Sequence, residues 1–150
     1  MSIELICVAA KPGEPVLSVD SLSLVAGKGI VGDRNYGKHQ YPGQNLTLVE
    51  AEEIERFNRE FAMAINLTAT RRNLVTRGVR LNELVGREFR VGAVTVRGVE
   101  LCEPCAGIGR KLAGERLSAA QVVKAFTHRC GLRTDVLTSG VIYRGDAIAV

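Results

Sequence analysis

Two cysteines, Cys102 and Cys105, stand three positions apart and are the residues of this chain best suited to covalent or metal chemistry. Pro104 precedes the second one, and a glycine-containing basic stretch follows it. Proline ends a strand, and the backbone N–H groups of a helical turn that begins just after the sulfur would favour the thiolate. A thiolate can bind a soft metal or carry a sulfane sulfur. Cys105 is therefore the candidate reactive thiol and the candidate metal ligand.

Other interpretations of the cysteines stay open at this level. Cys102, Cys105, His128 and Cys130 offer four ligands of the types that zinc prefers, although the last two are more closely spaced than in common zinc fingers. The CxxC pair could also be a redox dithiol, but its surroundings lack the βαβ pattern typical of such pairs. Free cysteine is often buried, and we expect Cys7, which lies in an apolar run, to be a core residue.

Two further stretches carry side chains suited to binding an anion. A turn-rich loop with several glycines contains Asp33, Arg34 and His39, and a later extended segment contains Arg72 and Asn73. Taken alone, Asp33 and Arg34 are explained by a solvated ion pair in a turn. Neighbouring arginines can nevertheless form a fork for phosphate or carboxylate. The two histidines of the chain are too scattered to indicate catalysis by themselves.

Composition limits the classes of protein to which the chain can belong. Its 150 residues, 46% of them hydrophobic, suit a single domain with an ordinary core spanning residues 1–150. The net charge of +4 fits an anionic small molecule or an acidic partner better than nucleic acid. The apolar run near the start is too short for a membrane span or a signal peptide. We therefore expect a cytoplasmic protein with free thiols and no membrane partner.

Short strands separated by glycine-containing turns must position these residues. Apolar spacing and acidic residues in the first turn predict one helix over residues 50–65. A second helix, over residues 118–126, is predicted with Ser118 and Gln121 as a capping box. The chain should close in two strands joined by a Ser-Gly turn. Because strands and helices do not alternate regularly, we expect a mainly β, barrel-like fold with peripheral helices, in the α+β class.

Three segments, in their order along the chain, resemble the MOSC family, the molybdenum-cofactor sulfurase C-terminal domain. They are GIVGDRNYGKH, RRNLVTRGVRLNELVGREFRVGAVTVRGVELCEPC and GLRTDVLTSGVIYRGDAI. The resemblance implies a MOSC-like β-barrel and a role in molybdenum-cofactor or sulfur-transfer chemistry. It also implies that Cys105 binds molybdenum or carries sulfur as a persulfide. By the same match Arg34, Arg72 and Asn73 would contact the pterin or its phosphate, and Asp33 and His39 would belong to the same pocket.

The chain differs from many members of that family at one position and in its length. Asn35 stands where many relatives carry a histidine directly after Gly-Asp-Arg, so the role of the later His39 is open. The chain has no room for a pyridoxal-phosphate desulfurase domain, so we expect no pyridoxal phosphate here. Sulfur would come from a partner of the cysteine desulfurase type, and a molybdoenzyme would be the acceptor. The protein would be a sulfur transferase or a molybdenum-dependent oxidoreductase component; the alternative is a non-catalytic scaffold with structural zinc or no cofactor.

Overall fold

The computed structural model describes all residues from Met1 to Val150 and consists mainly of strands. The strands are β1 (Ser2–Val8), β2 (Leu17–Val19), β3 (Ser21–Val25), β4 (Gly29–Ile30), β5 (Leu46–Glu50), β6 (Leu74–Arg77), β7 (Glu88–Val91), β8 (Val94–Leu101), β9 (Leu132–Val136), β10 (Gly140–Tyr143) and β11 (Ile148–Ala149). The helices are α1 (Ala51–Phe61), α2 (Ala106–Leu112) and α3 (Ala119–Phe126), with one 3₁₀ turn (Leu81–Leu84). None of the helices has the length and apolarity needed to cross a bilayer. The expected fold class, mainly β with peripheral helices, is confirmed.

Eight strands form one curled sheet, in the order β11-β7-β8-β9-β5-β6-β1-β2. Its strands pair antiparallel except β5 and β6, which are parallel. The sheet curls until β11, at one end, reaches the start of β1, the strand next to the other end. An isolated bridge joins Ser2 to Ala147, and the Ile148 N–H donates to the Met1 carbonyl at 3.0 Å. This curling encloses the main apolar core and gives the barrel-like shape that the sequence predicted.

The end of the chain differs from the simple pair of strands that we expected. Strands β9 and β10 flank the predicted Ser-Gly turn but do not pair with each other. Strand β10 instead joins β3 and β4 in a separate three-stranded sheet. The Ser139 hydroxyl accepts the Ala26 N–H at 2.9 Å, which holds the turn against the β3–β4 connection. A third strand, β11, follows and pairs with β7.

Helix α1 ends four residues earlier than its apolar spacing predicted. Ala62 adopts the left-handed conformation, with a φ of 50°, and this ends the helix. The Asn58 side chain then holds the chain in its new direction, because it donates to the Ile65 carbonyl at 2.9 Å and accepts the Ile65 N–H at 3.0 Å. Ile65 still packs against the apolar clusters. Its spacing from the helical residues therefore indicates that it is buried, and not that it belongs to the helix.

The three helices form a layer in which α1 packs against β5 and β6, and α2 packs against α3. The predicted capping box of α3 is confirmed: the Gln121 N–H donates to the Ser118 hydroxyl, and the Ser118 N–H donates to the Gln121 side chain at 2.8 Å. Helices α1, α2 and α3 share a second apolar cluster, which includes Phe57, Phe126 and Cys130. This cluster fixes α2 directly after the CxxC stretch, and α2 in turn positions Cys105.

Candidate functional site

Three arginines from distant parts of the chain line one cleft of about 190 Å³. Arg34 comes from the loop after β4, Arg72 precedes β6, and Arg133 lies on β9. The other lining residues are Asn35, Tyr41, Gly43, Gln44, Thr47 and Cys102. No carboxylate is among them, although Asp33 pairs with Arg34 and Glu100 pairs with Arg133 from outside the lining. This feature, the arginine cleft, is suited to binding an anion.

Buried Asp33 holds Arg34 in place from behind the cleft. Its Oδ1 accepts the Ala9 N–H at 3.1 Å and Arg34 Nη1 at 3.3 Å, and lies 3.4 Å from the Asn73 side-chain amide. Arg34 Nη2 donates to the Arg71 carbonyl at 3.1 Å. Burial lowers the pKa of Arg34 and the Asp33 charge opposes this effect. Asp33 and the Arg71 carbonyl therefore hold the Arg34 guanidinium at the cleft.

Asn73 supports the same wall of the cleft and is only 1% exposed. Its Oδ1 accepts the N–H of Thr47 at 3.1 Å and the hydroxyl of Thr47 at 3.0 Å. Its amide also donates to the Cys7 carbonyl at 3.2 Å, so one side chain ties β1, β5 and the start of β6 together. The structure therefore brings Asp33 and Asn73 to the predicted region as supports behind the lining.

Arg72 lies among three thiols. Its Nε donates to the Cys130 carbonyl at 3.0 Å and its Nη2 to the Cys130 Sγ at 3.2 Å. Burial acts to lower the pKa of Arg72, but the neighbouring Cys102, Cys130 and Cys105 outweigh this effect and raise that pKa. The Cys102 N–H donates to the Gly131 carbonyl at 2.7 Å, which sets the two buried thiols at adjacent strand ends.

Cys105 is exposed and occupies the N-cap position of α2. It stands beside the arginine cleft and not in its lining. The backbone N–H of Ile108 is the main cause that lowers the pKa of the Cys105 thiol; partial burial opposes it, and the N–H of Gly107 and the charge of Arg72 add to the lowering. A Cβ on Gly107 would lie 3.4 Å from the sulfur, so the thiol sits over the first turn of the helix. The geometry fits the expected reactive thiolate.

The other thiols have different surroundings. Burial raises the pKa of both Cys7 and Cys130, which are completely buried, while Cys102 is buried against the cleft. The structure gathers no group of three or more His, Cys, Asp or Glu side chains that could hold a metal ion. The Nδ1 of His128 lies 2.8 Å from the Glu103 carboxylate, and no contact between His128 and a thiol is present. The four-ligand zinc arrangement therefore has no support here.

The sequence did not indicate correctly which of two residues, His39 and Arg133, lines the arginine cleft. His39 is exposed and does not line the arginine cleft, so any role for it in the cofactor pocket stays a prediction. Arg133 was not predicted as a site residue, yet it stands 5.0 Å from the centre of the Tyr41 ring and donates to Glu100 at 3.3 Å. Strand alternation in β9 indicates that Arg133 points away from the core, but it does not indicate which surface feature it joins.

The fold and site together define a β-barrel-like domain with a cleft lined by three arginines and an exposed thiol whose pKa is lowered. The model of the MOSC domain family matches residues 35–149, and the chain belongs to that family. The resemblance noted from the sequence is thereby confirmed. No curated protein matches the sequence.

Solved structures show the same fold at low sequence identity. The YuaD protein from Bacillus subtilis is 19% identical, with a TM-score of 0.83 over 97% of this chain and 92% of that one. YiiM from Geobacillus stearothermophilus is 16% identical, with a TM-score of 0.74 over 99% of this chain and 73% of that one. YiiM from Escherichia coli is 19% identical, with a TM-score of 0.72 over 99% and 69%. At these identities the similarity shows the fold alone, and any chemistry has to be argued from the residues of the site.

Proposed function

We propose that the arginine cleft binds the phosphate-bearing end of a molybdenum-pterin cofactor, and that Cys105 serves as its sulfur ligand or carries sulfur to it. One observation carries the proposal: three guanidinium groups share a cleft that has no carboxylate in its lining. Planar guanidinium groups form paired hydrogen bonds with phosphate oxygens. Membership of the MOSC family, which is linked to this cofactor, makes a phosphate-bearing pterin the first candidate among anions.

The residues present fit such a group in charge and in ligand softness. A cavity of about 190 Å³ is smaller than the roughly 300–1,000 Å³ of sites that enclose a drug-sized ligand. The cleft would therefore hold the anionic end and leave the remainder near the surface, on the side of the thiols. When bound, the cofactor supplies a molybdenum centre, and thiolate sulfur suits a soft metal of this kind.

Cys105 has the properties that a sulfur carrier needs. It is exposed to a partner, and the backbone amides of α2 increase its thiolate fraction at neutral pH. In the loading step the thiolate attacks the outer sulfur of a donor persulfide. A Cys105–S bond to that sulfur forms, the donor's S–S bond breaks, and the donor leaves as a thiolate. The donor would be a protein of the cysteine desulfurase type, the acceptor a molybdoenzyme, and both would act in the cytoplasm.

Cofactor binding is tested by metal analysis of protein purified from a host that makes the molybdenum cofactor. We expect molybdenum and a pterin to co-purify with the wild-type protein and to fall at least tenfold in Arg133→Gln. Arg97→Gln is the matched control, because Arg97 is an exposed strand arginine outside the cleft. Equal molybdenum content in both variants, or none in the wild type, would contradict the cleft as the binding site.

Sulfur carriage is tested separately by incubation with a low-molecular-weight persulfide donor. Intact-protein and peptide mass spectrometry should find one added sulfur atom, removable by a reducing thiol, on the Cys105 peptide. Cys105→Ser should abolish the modification, whereas Cys130→Ser should retain it. If the added sulfur appears on another cysteine, Cys105 is not the carrier; if no cysteine is modified while molybdenum co-purifies, the thiol acts as a ligand only.

A further inference from the structure

A second hollow, of about 170 Å³, is lined by seven residues, none of them hydrophobic. We call it the mixed-charge hollow. It includes the carboxylate of Glu50, the guanidinium groups of Arg80 and Arg129, and His128. It shares no lining residue with the arginine cleft. Unlike that cleft, it presents both signs of charge within one small space.

Glu50 is the buried carboxylate of this hollow, at 9% exposure. It stands at the end of β5, directly before α1, but its side chain makes no capping bond to that helix. Its Oε1 accepts the Leu81 N–H at 2.8 Å, which fixes the carboxylate, and no protein group donates to Oε2. Burial is the main cause that raises the pKa of Glu50; the Leu81 N–H and the Arg80 charge oppose it, and the charges of Glu53 and Glu52 add to it.

Arg80 supplies a free positive charge in the same hollow. It forms no ion pair with any carboxylate, yet its charge is close enough to lower the pKa of Glu50. The neighbouring Arg129 is different, because Glu53 already binds it at 3.1 Å. Glu50 and Arg80 thus present a carboxylate and a guanidinium to the same space without bonding to each other.

The walls of the hollow are fixed by backbone contacts. A Cβ on Gly131 would lie 1.9 Å from the Leu48 carbonyl, and this glycine has a φ of 110°, so only glycine fits where β9 approaches β5. The Asn82 side chain donates to the His128 carbonyl at 2.9 Å and holds the opposite rim. A ligand would therefore meet a Glu50 carboxylate that the Leu81 N–H already holds in position, which reduces the entropic cost of binding at that end.

From this arrangement we propose that the mixed-charge hollow is a binding site for a small zwitterion of the free α-amino acid class. The ammonium group donates to Glu50 Oε2, and the carboxylate pairs with Arg80. The lining includes no hydrophobic residue against which the side chain of the bound amino acid could pack. The site would therefore recognise the two charges of the ligand and discriminate little between small side chains. The site is independent of the arginine cleft and of Cys105, and its failure would leave the proposed function untouched.

The test is calorimetric titration of the full chain with L-alanine, with ethylamine and acetate as probes that each carry one of the two charges. We expect saturable binding of L-alanine and at least tenfold weaker binding of each single-charge probe. Glu50→Gln should weaken L-alanine binding at least tenfold while keeping an oxygen for the Leu81 N–H. Arg80→Gln should weaken it by a similar factor.

Matched control variants are Glu115→Gln and Arg116→Gln, which change exposed residues of the loop between α2 and α3. Both should bind L-alanine as the wild type does. Absence of binding in the wild type, equal binding of acetate or ethylamine, or unchanged binding in Glu50→Gln would each overturn the proposal. Thermal unfolding of every variant without ligand checks that loss of binding is not loss of fold.

Discussion

Cys105 and Cys130 lie within electrostatic reach of the same arginine, yet the structure moves their pKa values in opposite directions. At the β8–α2 junction, the backbone N–H of Ile108 lowers the pKa of Cys105, and the charge of Arg72 adds to this effect. At the start of β9, burial raises the pKa of Cys130 although Arg72 donates directly to its sulfur.

The difference shows that a nearby cation does not by itself make a reactive thiol. Arg72 is hydrogen-bonded to Cys130, which is wholly buried among the apolar residues of the helical layer. The desolvation of a thiolate in such surroundings exceeds the gain from one guanidinium. Cys105 keeps contact with solvent and has oriented backbone donors, so its thiolate is stabilised at little desolvation cost. Exposure and the backbone N–H groups therefore have a larger effect on these two pKa values than the shared arginine.

Alkylation kinetics give the largest expected contrast between the two thiols. In the native protein, iodoacetamide should modify Cys105 at least about a hundredfold faster than Cys130, because a buried thiol reacts only through local opening. Peptide mass spectrometry over a time course measures both rates in one sample. In urea the two rates should converge. Comparable native rates would mean that Cys130 is not protected as the structure indicates.

Replacing Arg72 tests the cation that the two thiols share. Arg72→Ala removes the bonds to the Cys130 carbonyl and sulfur, and we expect a loss of about 2–3 kcal/mol in the free energy of unfolding. Arg72→Lys should retain part of that stability, since one ammonium cannot reproduce the planar fork. Urea denaturation measures both variants.

The matched control for the Arg72 variants is Arg97→Ala, which breaks an exposed ion pair with Glu88. It should cost less than about 1 kcal/mol. If Arg72→Ala costs no more than Arg97→Ala, Arg72 does not hold the start of β9 in place. In Arg72→Ala the pKa of Cys105 should rise, but Cys105 should remain the fastest thiol, because the Ile108 N–H is the larger cause.

Serine substitutions separate packing from reactivity. Cys130→Ser places a hydroxyl among apolar side chains and should reduce the free energy of unfolding by about 1–3 kcal/mol. Cys105→Ser should change it by less than about 0.5 kcal/mol, because the site is exposed and serine is a good N-cap residue. Cys7→Ser should resemble Cys130→Ser. Equal losses at positions 105 and 130 would show that Cys105 is only a packing residue.

The pH dependence of stability gives the smallest and most diagnostic contrast. The lowered pKa of Cys105 adds stability above the unfolded thiol pKa of about 8.5, and this contribution is lost as pH falls through the folded value. The raised pKa of Cys130 adds stability below about 8.5, and this contribution is lost as pH rises through the folded value.

The loss in the free energy of unfolding that each serine substitution causes should therefore change with pH, and the two losses should change in opposite directions. Cys105→Ser should cost more at about pH 9.5 than at about pH 7, and Cys130→Ser should cost less. Urea denaturation of the two variants and the wild type at both pH values measures this. If both costs change in the same direction, the opposed pKa shifts are not present in the folded chain.

Much of the framework was predictable from local sequence. The alternation in β8, the apolar run of β1 and the capping box of α3 each depend on neighbours a few residues away, and the structure has all three. The helix start of α2 after Cys105 was also predictable, because Pro104 cannot continue a strand and the cysteine takes the N-cap; β8 itself already ends at Leu101. The end of α1 was not, since Asn58 stabilises it by a contact beyond the helix.

The candidate site likewise has features that the local sequence predicts and features that depend on tertiary contacts. Local order predicted that a helical turn follows Cys105, because that property depends on short spacings. Arg34 and Arg72 became candidates for contacting an anion through the resemblance to the MOSC family. Only the tertiary structure decided that Arg133 joins them, that Asp33 and Asn73 stand behind the cleft, and that Cys130 is buried. The pairing of β5 with β9 brings Asn45 and Val136, which are 91 positions apart, within hydrogen-bonding distance. No local pattern shows which outward-facing side chains such long-range pairing will bring together.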